Sequence, residues 1–386
     1  MIEVRVNRKG ANRVASGHPW IFSSDVTDRG GAEPGSVVAV ADPNRRPLGV
    51  AHYSSSSQIC LRLLSDRIEP VDAAFFEGRL TAAIDYRRSV VRDSDAYRLV
   101  HAEADLLPAL IIDRYGDYLA VQTLDQGMDR AKDEIVAALV KLLSPRGIVL
   151  RNDASVRKKE ELPLETVVAH GEIPSDVEVR MNGLQFHADL LHGQKTGNFL
   201  DQRENYVAAA RYAHGKALDC FTSTGGFAMH LAAGCESVEA VDSSSDALLI
   251  AGRNADTNRI TNIEFREANA FDLLASYSSA RRQFDVVVLD PPAFAKSRGS
   301  LEGAVRGYKD INLRALRLLG PGGVLVTCSC SHHMSEAMLL EVVAAASLDA
   351  GRKLRVLERR TQAQDHPILL TVPETHYLKC LILQVL

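Results

Sequence analysis

Along Phe284-Asp285-Val286-Val287-Val288-Leu289 the apolar positions run on with almost no alternation. Such a β-branched run predicts a strand buried on both faces, as in a parallel sheet. Asp290 ends it, and Pro291 and Pro292 follow. Prolines cannot extend the ladder, so the chain must turn out at the strand's carboxyl end. Ligands of open α/β sheets bind at that edge, which makes Asp290 the first candidate site residue. A simple turn aspartate has the same signature; a site is favoured because other strands point to the same edge.

The pattern around this stretch alternates strand and helix. Strands are expected at Lys216–Phe221, Val238–Val241, Ile263–Phe265 and Gly322–Cys330, with helices near Asp201, after Phe227 and over 245–257. A hairpin over Val177–Ala188 leads in. This order predicts an α/β region from about residue 181 to 386. Residues 1–70 read instead as short strands, with Asp42-Pro43-Asn44-Arg45-Arg46-Pro47 as turn chemistry between apolar runs; a small β-barrel is expected. Between 71 and 180 a helical pattern (Val71–Val91), a hairpin turn at Gly116-Asp117 and an amphipathic helix (Asp129–Leu143) predict an α+β unit. His101, Glu103 and Asp105 alternate there on one face of an expected strand.

Composition narrows the class. With 386 residues, 46% apolar and 24% charged, the chain has room for two or three ordinary globular domains. No apolar run is long enough to span a bilayer, and Met1–Val6 lacks a signal-peptide core; a cytoplasmic protein without membrane contact is expected. The net charge of −4 argues against a whole-protein grip on nucleic acid, but Arg5, Arg8, Lys9, Arg13, Arg45 and Arg46 could form a local basic face. None of the six cysteines forms a CxxC pair, and one histidine with two carboxylates at 101–105 is a weak metal signal, so no metal is expected.

The candidate chemistry lies at the strand ends. The first α/β strand runs into Thr222-Ser223-Thr224-Gly225-Gly226, and the second ends in Asp242-Ser243. Glycines let the backbone approach a ligand, and Asp242 can accept both hydroxyls of a ribose. Neither GxGxxG nor GxxxxGK[ST] is present, so dinucleotides and NTPs lose support. A looser turn followed by an acid suits S-adenosylmethionine, which has no phosphates to cradle. Asn269 and Ala270, at the next strand end, could read the adenine. Ser223, Gly225 and Ser243 complete the candidate cofactor set. Asp290-Pro291-Pro292-Ala293-Phe294 resembles the loop of enzymes that methylate nucleobase amino groups, with one extra residue before the aromatic. Strand five offers another chemistry. Carbon 5 of a pyrimidine becomes nucleophilic only after a thiolate adds at carbon 6, and cysteine suits that task. Cys330 stands at the strand's carboxyl end and Cys328 two residues earlier on the same side. Two buried structural thiols would read the same way.

Taken together, His18–Phe22, Arg98–Asp105, Gly193–Arg203, Asp219–Phe227, Leu289–Ser297, Arg306–Asn312 and Cys328–Ser331 resemble the bacterial large-subunit rRNA methyltransferases that make 5-methylcytosine in 23S rRNA and carry an N-terminal PUA domain. The resemblance implies a PUA β-barrel over 1–70, an α+β middle domain over 71–180, and a Rossmann-like class I methyltransferase domain over 181–386. It implies that Gln194, Thr196, Phe221, Asp242, Asn269 and Asp290 line the S-adenosylmethionine pocket, that Cys330 is the catalytic cysteine, and that the partner is RNA. Homodimers are common among such enzymes. Many RNA cytosine methyltransferases carry a second cysteine after the Pro-Pro pair; Ala293 stands there in this chain. Cys328, or a water held by Asp290, is then left to take the carbon 5 proton. A purine or exocyclic-amino methyltransferase and a non-catalytic RNA-binding assembly factor are the alternatives.

Overall fold

The structure is a computed structural model that describes all residues except 194–197, 295–298 and 300. The apolar runs of the first 66 residues form β1 (Ile2–Val6), β2 (Trp20–Phe22), β3 (Val26–Asp28), β4 (Val37–Ala41), β5 (Pro47–Tyr53) and β6 (Ile59–Ser65). They make one barrel-like sheet in the order β2-β6-β5-β4-β1-β3. The expected turn joins β4 to β5: Asp42 Oδ1 accepts the Asn44 and Arg46 amides at 2.8 and 2.9 Å, and Arg45 takes a φ of 62°. One element departs from the expectation. Arg8–Ala15 is a helix, α1, capped by Asn7, whose side chain accepts the Gly10 amide. It carries Arg8, Lys9 and Arg13 of the expected basic face, while Arg5 is paired with Asp28.

The next segment adds α2 (Ala73–Val90), β7 (Ala96–His101), β8 (Leu110–Tyr115), β9 (Tyr118–Thr123), α3 (Gln126–Arg130), α4 (Lys132–Leu143), β10 (Gly147–Asn152) and β11 (Glu165–Gly171). The strands form a five-stranded sheet in the order β11-β10-β9-β8-β7. Asp72 caps α2 by accepting the Phe75 amide. Gly116, at φ 60°, turns the predicted hairpin, with Tyr115 opposite Tyr118. The helix expected from Asp129 starts at Lys132, because a separate short helix capped by Asp125 precedes it. The alternation of His101, Glu103 and Asp105 on a strand face is not found. β7 stops at His101, and residues 102–105 form a 3-10 turn with Ala102 and Leu106 at positive φ. Glu103 accepts the Trp20 indole N–H at 2.9 Å, and Asp105 binds the buried Arg87 guanidinium.

The chain divides into two units: 1–181 with 188–198 and 364–375, and 182–187 with 199–363 and 376–386. The expected hairpin, β12 (Val177–Met181) and β13 (Leu184–Ala188), turns at Asn182 (φ 51°) and Gly183 (φ 84°), as a two-residue hairpin requires.

The second unit is built on a seven-stranded sheet in the order β16-β15-β14-β17-β18-β20-β19. Its elements are α5 (Arg203–Ala210), β14 (Lys216–Cys220), α6 (Gly226–Leu231), β15 (Ser237–Asp242), α7 (Ser245–Thr257), β16 (Ile263–Glu267), α8 (Ala270–Ser279), β17 (Phe284–Leu289), α9 (Leu301–Leu318), β18 (Leu319–Ser329), α10 (Glu336–Asp349), β19 (Leu354–Arg360) and β20 (Lys379–Val385). Strands β14 to β18 are parallel, and β20 runs antiparallel to β18 and β19. Strand side chains alternate between two cores. Leu218, Val287, Leu289 and Leu325 pack with α8, α9 and α10, whereas Ala217, Val286, Val288 and Val326 pack with α5 and α6. Strand β18 begins at Leu319, three residues earlier than its sequence suggests, and ends at Ser329, so Cys330 stands one residue beyond the ladder.

Candidate active site

Five parallel strands deliver their carboxyl ends to one edge, and β14 is flanked by β15 on one side and β17 on the other. The order reverses there, which opens the crevice where such sheets bind ligands. Phe221, Asp242, Asn269, Asp290 and Cys330 each lie at or within two residues of a strand end on that edge.

The turn after β14 takes an unusual path. Phe221, Ser223 and Gly225 have φ of 66°, 49° and 86°, a region that non-glycine residues avoid. Buried polar bonds hold it. Asp219 Oδ2 accepts the Thr222 hydroxyl at 2.6 Å and the Ala228 amide at 3.0 Å, and the Thr222 amide donates to the Val241 carbonyl at 3.0 Å. Burial, with Asp290 and Asp242 adding repulsion, pushes the Asp219 carboxyl up to about 7. Gly226 has no room for a side chain: a Cβ there would stand 2.3 Å from the Tyr206 ring.

Asp242 is half-buried at the tip of β15, and each of its oxygens takes one backbone N–H, from Ser223 and from Ser244, both at 2.9 Å. A carboxylate offers about four acceptor positions, so each oxygen retains capacity for a ribose hydroxyl. Ser243 is exposed beside it. Asn269 is exposed and caps α8 through Oδ1, bonded to the Phe271 amide at 2.9 Å, while Ala270 is buried behind it. Among the described residues the edge offers carboxylates and a side-chain amide but no phosphate cradle, which fits S-adenosylmethionine. Gln194 and Thr196 lie outside the described residues.

Asp290 is half-buried and accepts the Gln202 amide at 3.0 Å; Gln202 in turn accepts the Asn205 amide at 2.7 Å. Phe294 packs between Tyr308 and Phe271, with ring centroids 4.7 and 5.6 Å away, and Phe271 meets Phe221 at 6.3 Å. Cys330 is half-buried, whereas Cys60, Cys220, Cys235, Cys328 and Cys380 are buried. Cys328 faces the α5–α6 side, opposite Cys380 in the ladder. Burial, then Cys380 and Asp290, pushes its thiol well up. The fully buried Tyr308 receives the Ser329 hydroxyl at 2.9 Å and stands 3.3 Å from the Ser331 hydroxyl. His332 and His333 are exposed, with His332 5.7 Å from the Tyr377 ring.

Several groups at this edge were not singled out from sequence. Gln202 and Asp219 lie inside segments that carry the family resemblance, but nothing marked their individual roles. Lys379 did leave a signal: it opens the apolar run Cys380-Leu381-Ile382-Leu383 and is 3% exposed, which is rare for lysine.

Comparison with known proteins agrees with this architecture. Residues 4–66 match a PUA-like domain family and residues 158–382 an S-adenosylmethionine-dependent methyltransferase family. The chain is 42% identical to a ribosomal RNA large subunit methyltransferase I of Tolumonas auensis, over 95% of both chains, and 42% identical to the Klebsiella pneumoniae protein of that name, over 94% of this chain and 93% of the other. A Streptococcus mutans protein described as a SAM-dependent methyltransferase shares the fold, with 20% identity, full coverage of both chains and a TM-score of 0.84; a protein described as a methyltransferase and solved with SAH superposes over both full chains at a TM-score of 0.85. The chain is therefore an S-adenosylmethionine-dependent methyltransferase and belongs to the ribosomal RNA large subunit methyltransferase I family.

Proposed function

We propose that this enzyme methylates carbon 5 of a cytosine in large-subunit (23S) rRNA through a covalent Cys330 adduct. The observation that carries the reading is the contrast among the cysteines: Cys330 alone of the six is not buried, and it stands at the site edge with Asp290. The names of the full-length relatives support ribosomal RNA as the substrate, and the PUA-like barrel would supply phosphate contacts with salt-dependent affinity.

S-adenosylmethionine supplies an electrophilic methyl group; Asp242, Phe221, Asn269 and Ala270, with Ser223, Gly225 and Ser243 around the turn, would hold it. Gln194 and Thr196 join that set by the resemblance. The Cys330 thiol gives its proton to solvent, and its sulfur bonds carbon 6 of the cytosine as the ring nitrogen takes up a proton. Asp290 hydrogen-bonds the ring nitrogen or amino group, supporting protonation of the ring as the thiolate adds. Addition leaves the former double-bond electron pair on carbon 5 as an enamine, which would take the methyl group as its bond to the sulfonium sulfur breaks and S-adenosylhomocysteine leaves. Loss of the carbon 5 proton and cleavage of the sulfur–carbon 6 bond restore the double bond and the thiolate. With Ala293 after the Pro-Pro pair and Cys328 buried and held protonated, a water on Asp290 takes that proton. Phe294 packs against Tyr308 and Phe271 at tilted angles, so it is anchored in an aromatic cluster.

The test is transfer of labelled methyl groups to rRNA, followed by digestion to nucleosides. Label is expected in 5-methylcytosine, abolished by Cys330→Ala and retained by Cys328→Ala. Label in a purine or on an exocyclic amine refutes the reading.

A further inference from the structure

Lys379 is an ammonium placed where an ammonium is expensive. It is 3% exposed at the start of β20, and its Nζ donates to the carbonyls of Ser331 and Tyr377, each at 2.7 Å. Among the described residues no carboxylate pairs with it. A buried lysine without a charged partner usually loses its proton. Among the described residues, the charge that acts on Lys379 is that of Cys330, the neighbour of Ser331.

We propose that Lys379 is the positioning residue and counter-ion of Cys330: it fixes the turn beyond β18 through the Ser331 carbonyl and stabilises the sulfur as thiolate. This rests on the reading of Cys330 as the nucleophile. Burial lowers the Lys379 ammonium to about 8, and the Cys330 charge acts in the opposite direction. The ammonium therefore keeps its proton at neutral pH. Among the described residues, the other groups around the turn do not replace it. Tyr308, on α9, is pushed up by burial and by Cys330, so its hydroxyl stays neutral. Tyr377 donates its hydroxyl to Asp201 at 2.8 Å. Asp290, at the end of β17, is a carboxyl group and supplies no positive charge to a thiolate on this edge. His332 is exposed near Tyr377. An ammonium held on the carbonyl of the residue next to a thiol lowers that thiol's pKa below the usual value of about 8.5, so a larger fraction is ready to add to carbon 6.

The experiment is the pH dependence of Cys330 alkylation by iodoacetamide, read peptide by peptide by mass spectrometry in the full-length protein. Five of the six cysteines are buried, so the reactive peptide is distinct. The wild-type midpoint is expected below about 8.5. Lys379→Met should raise it by about one pH unit and slow alkylation at neutral pH about tenfold, and Lys379→Arg should restore most of the rate. A wild-type midpoint at or above the ordinary thiol value overturns the proposal, as does a folded Lys379→Met protein whose midpoint stays within a few tenths of wild type. If Lys379→Met does not fold, the wild-type midpoint decides. Alkylation needs neither RNA nor cofactor. A shifted midpoint without 5-methylcytosine formation would refute the proposed function and leave the counter-ion standing; 5-methylcytosine formation with an unshifted midpoint would do the reverse.

Discussion

His230 offers a quantitative test of how the cofactor turn is held. It lies on α6, 9% exposed, with Nδ1 2.7 Å from the Gly226 carbonyl and Nε2 3.1 Å from the Asn182 amide nitrogen. Those partners require a neutral ring with its proton on Nδ1, a tautomer assigned from the hydrogen bonds. Burial lowers the ring from 6.5 to about 4. A depressed histidine contributes stability that is present above its ordinary pKa and lost as pH falls towards the folded value; the full loss is roughly 3 kcal/mol, of which about 2 kcal/mol falls between pH 7 and 5. Asp219, behind the same turn, works in the opposite sense. Its carboxyl rises from 3.8 to about 7, so its contribution is full below 3.8 and lost as pH rises through 7. Between pH 7 and 5 it adds about 2 kcal/mol. The two nearly cancel in the wild type. His230→Gln removes one side. Whatever its absolute cost, the variant should gain about 2 kcal/mol relative to wild type on going from pH 7 to pH 5. Urea unfolding followed by far-UV circular dichroism at the two pH values measures the difference, and all other titrations drop out of the comparison. An equal change in both proteins would refute the neutral, buried assignment of His230.

Two further outcomes follow from the packing. Gly226→Ala forces a methyl group into the Tyr206 ring; it should cost about 1–3 kcal/mol and weaken S-adenosylmethionine binding in calorimetry, because the turn must shift. Arg87→Met leaves Asp105 and the carbonyls of Arg98 and Asp365 without the guanidinium that now reaches all three; a loss of about 3–5 kcal/mol should show in the unfolding of the first unit, read by Trp20 fluorescence.

Much of this enzyme was legible in its sequence because hydrophobic burial has a period. The unalternating run at 284–289, the strands ending at Phe221 and Asp242, and the helix over 245–257 follow from which side chains must leave water. So does the placement of Asp290 and Asp242 at one sheet edge, since parallel strands share their carboxyl side. The turn chemistry at Asp42–Pro47 and Gly116-Asp117 and the hairpin over Val177–Ala188 are equally local. Local signals misled where a neighbour decides the outcome. His101, Glu103 and Asp105 alternate as a strand would, but β7 ends at His101 and Asp105 is claimed by Arg87, eighteen residues earlier in the chain. Arg8–Ala15 lies among short strands and forms a helix because Asn7 caps it.

The sequence by itself determined the α/β class of residues 181–386, the order of its five parallel strands and the residues offered at their ends. Only the tertiary structure decided which thiol is accessible, which side chain braces Asp290, and where the chain accepts a buried ammonium. Sequence position and family resemblance single out Cys330; the fold separates its exposure from that of Cys328, because the ladder with β20 ends at Ser329, one residue before Cys330. Lys379 reaches the carbonyl of Ser331, next to Cys330, from forty-eight residues away because β20 runs antiparallel along β18. Burial, charge proximity and the end of a ladder are properties of segments distant in sequence, and no local pattern encodes them.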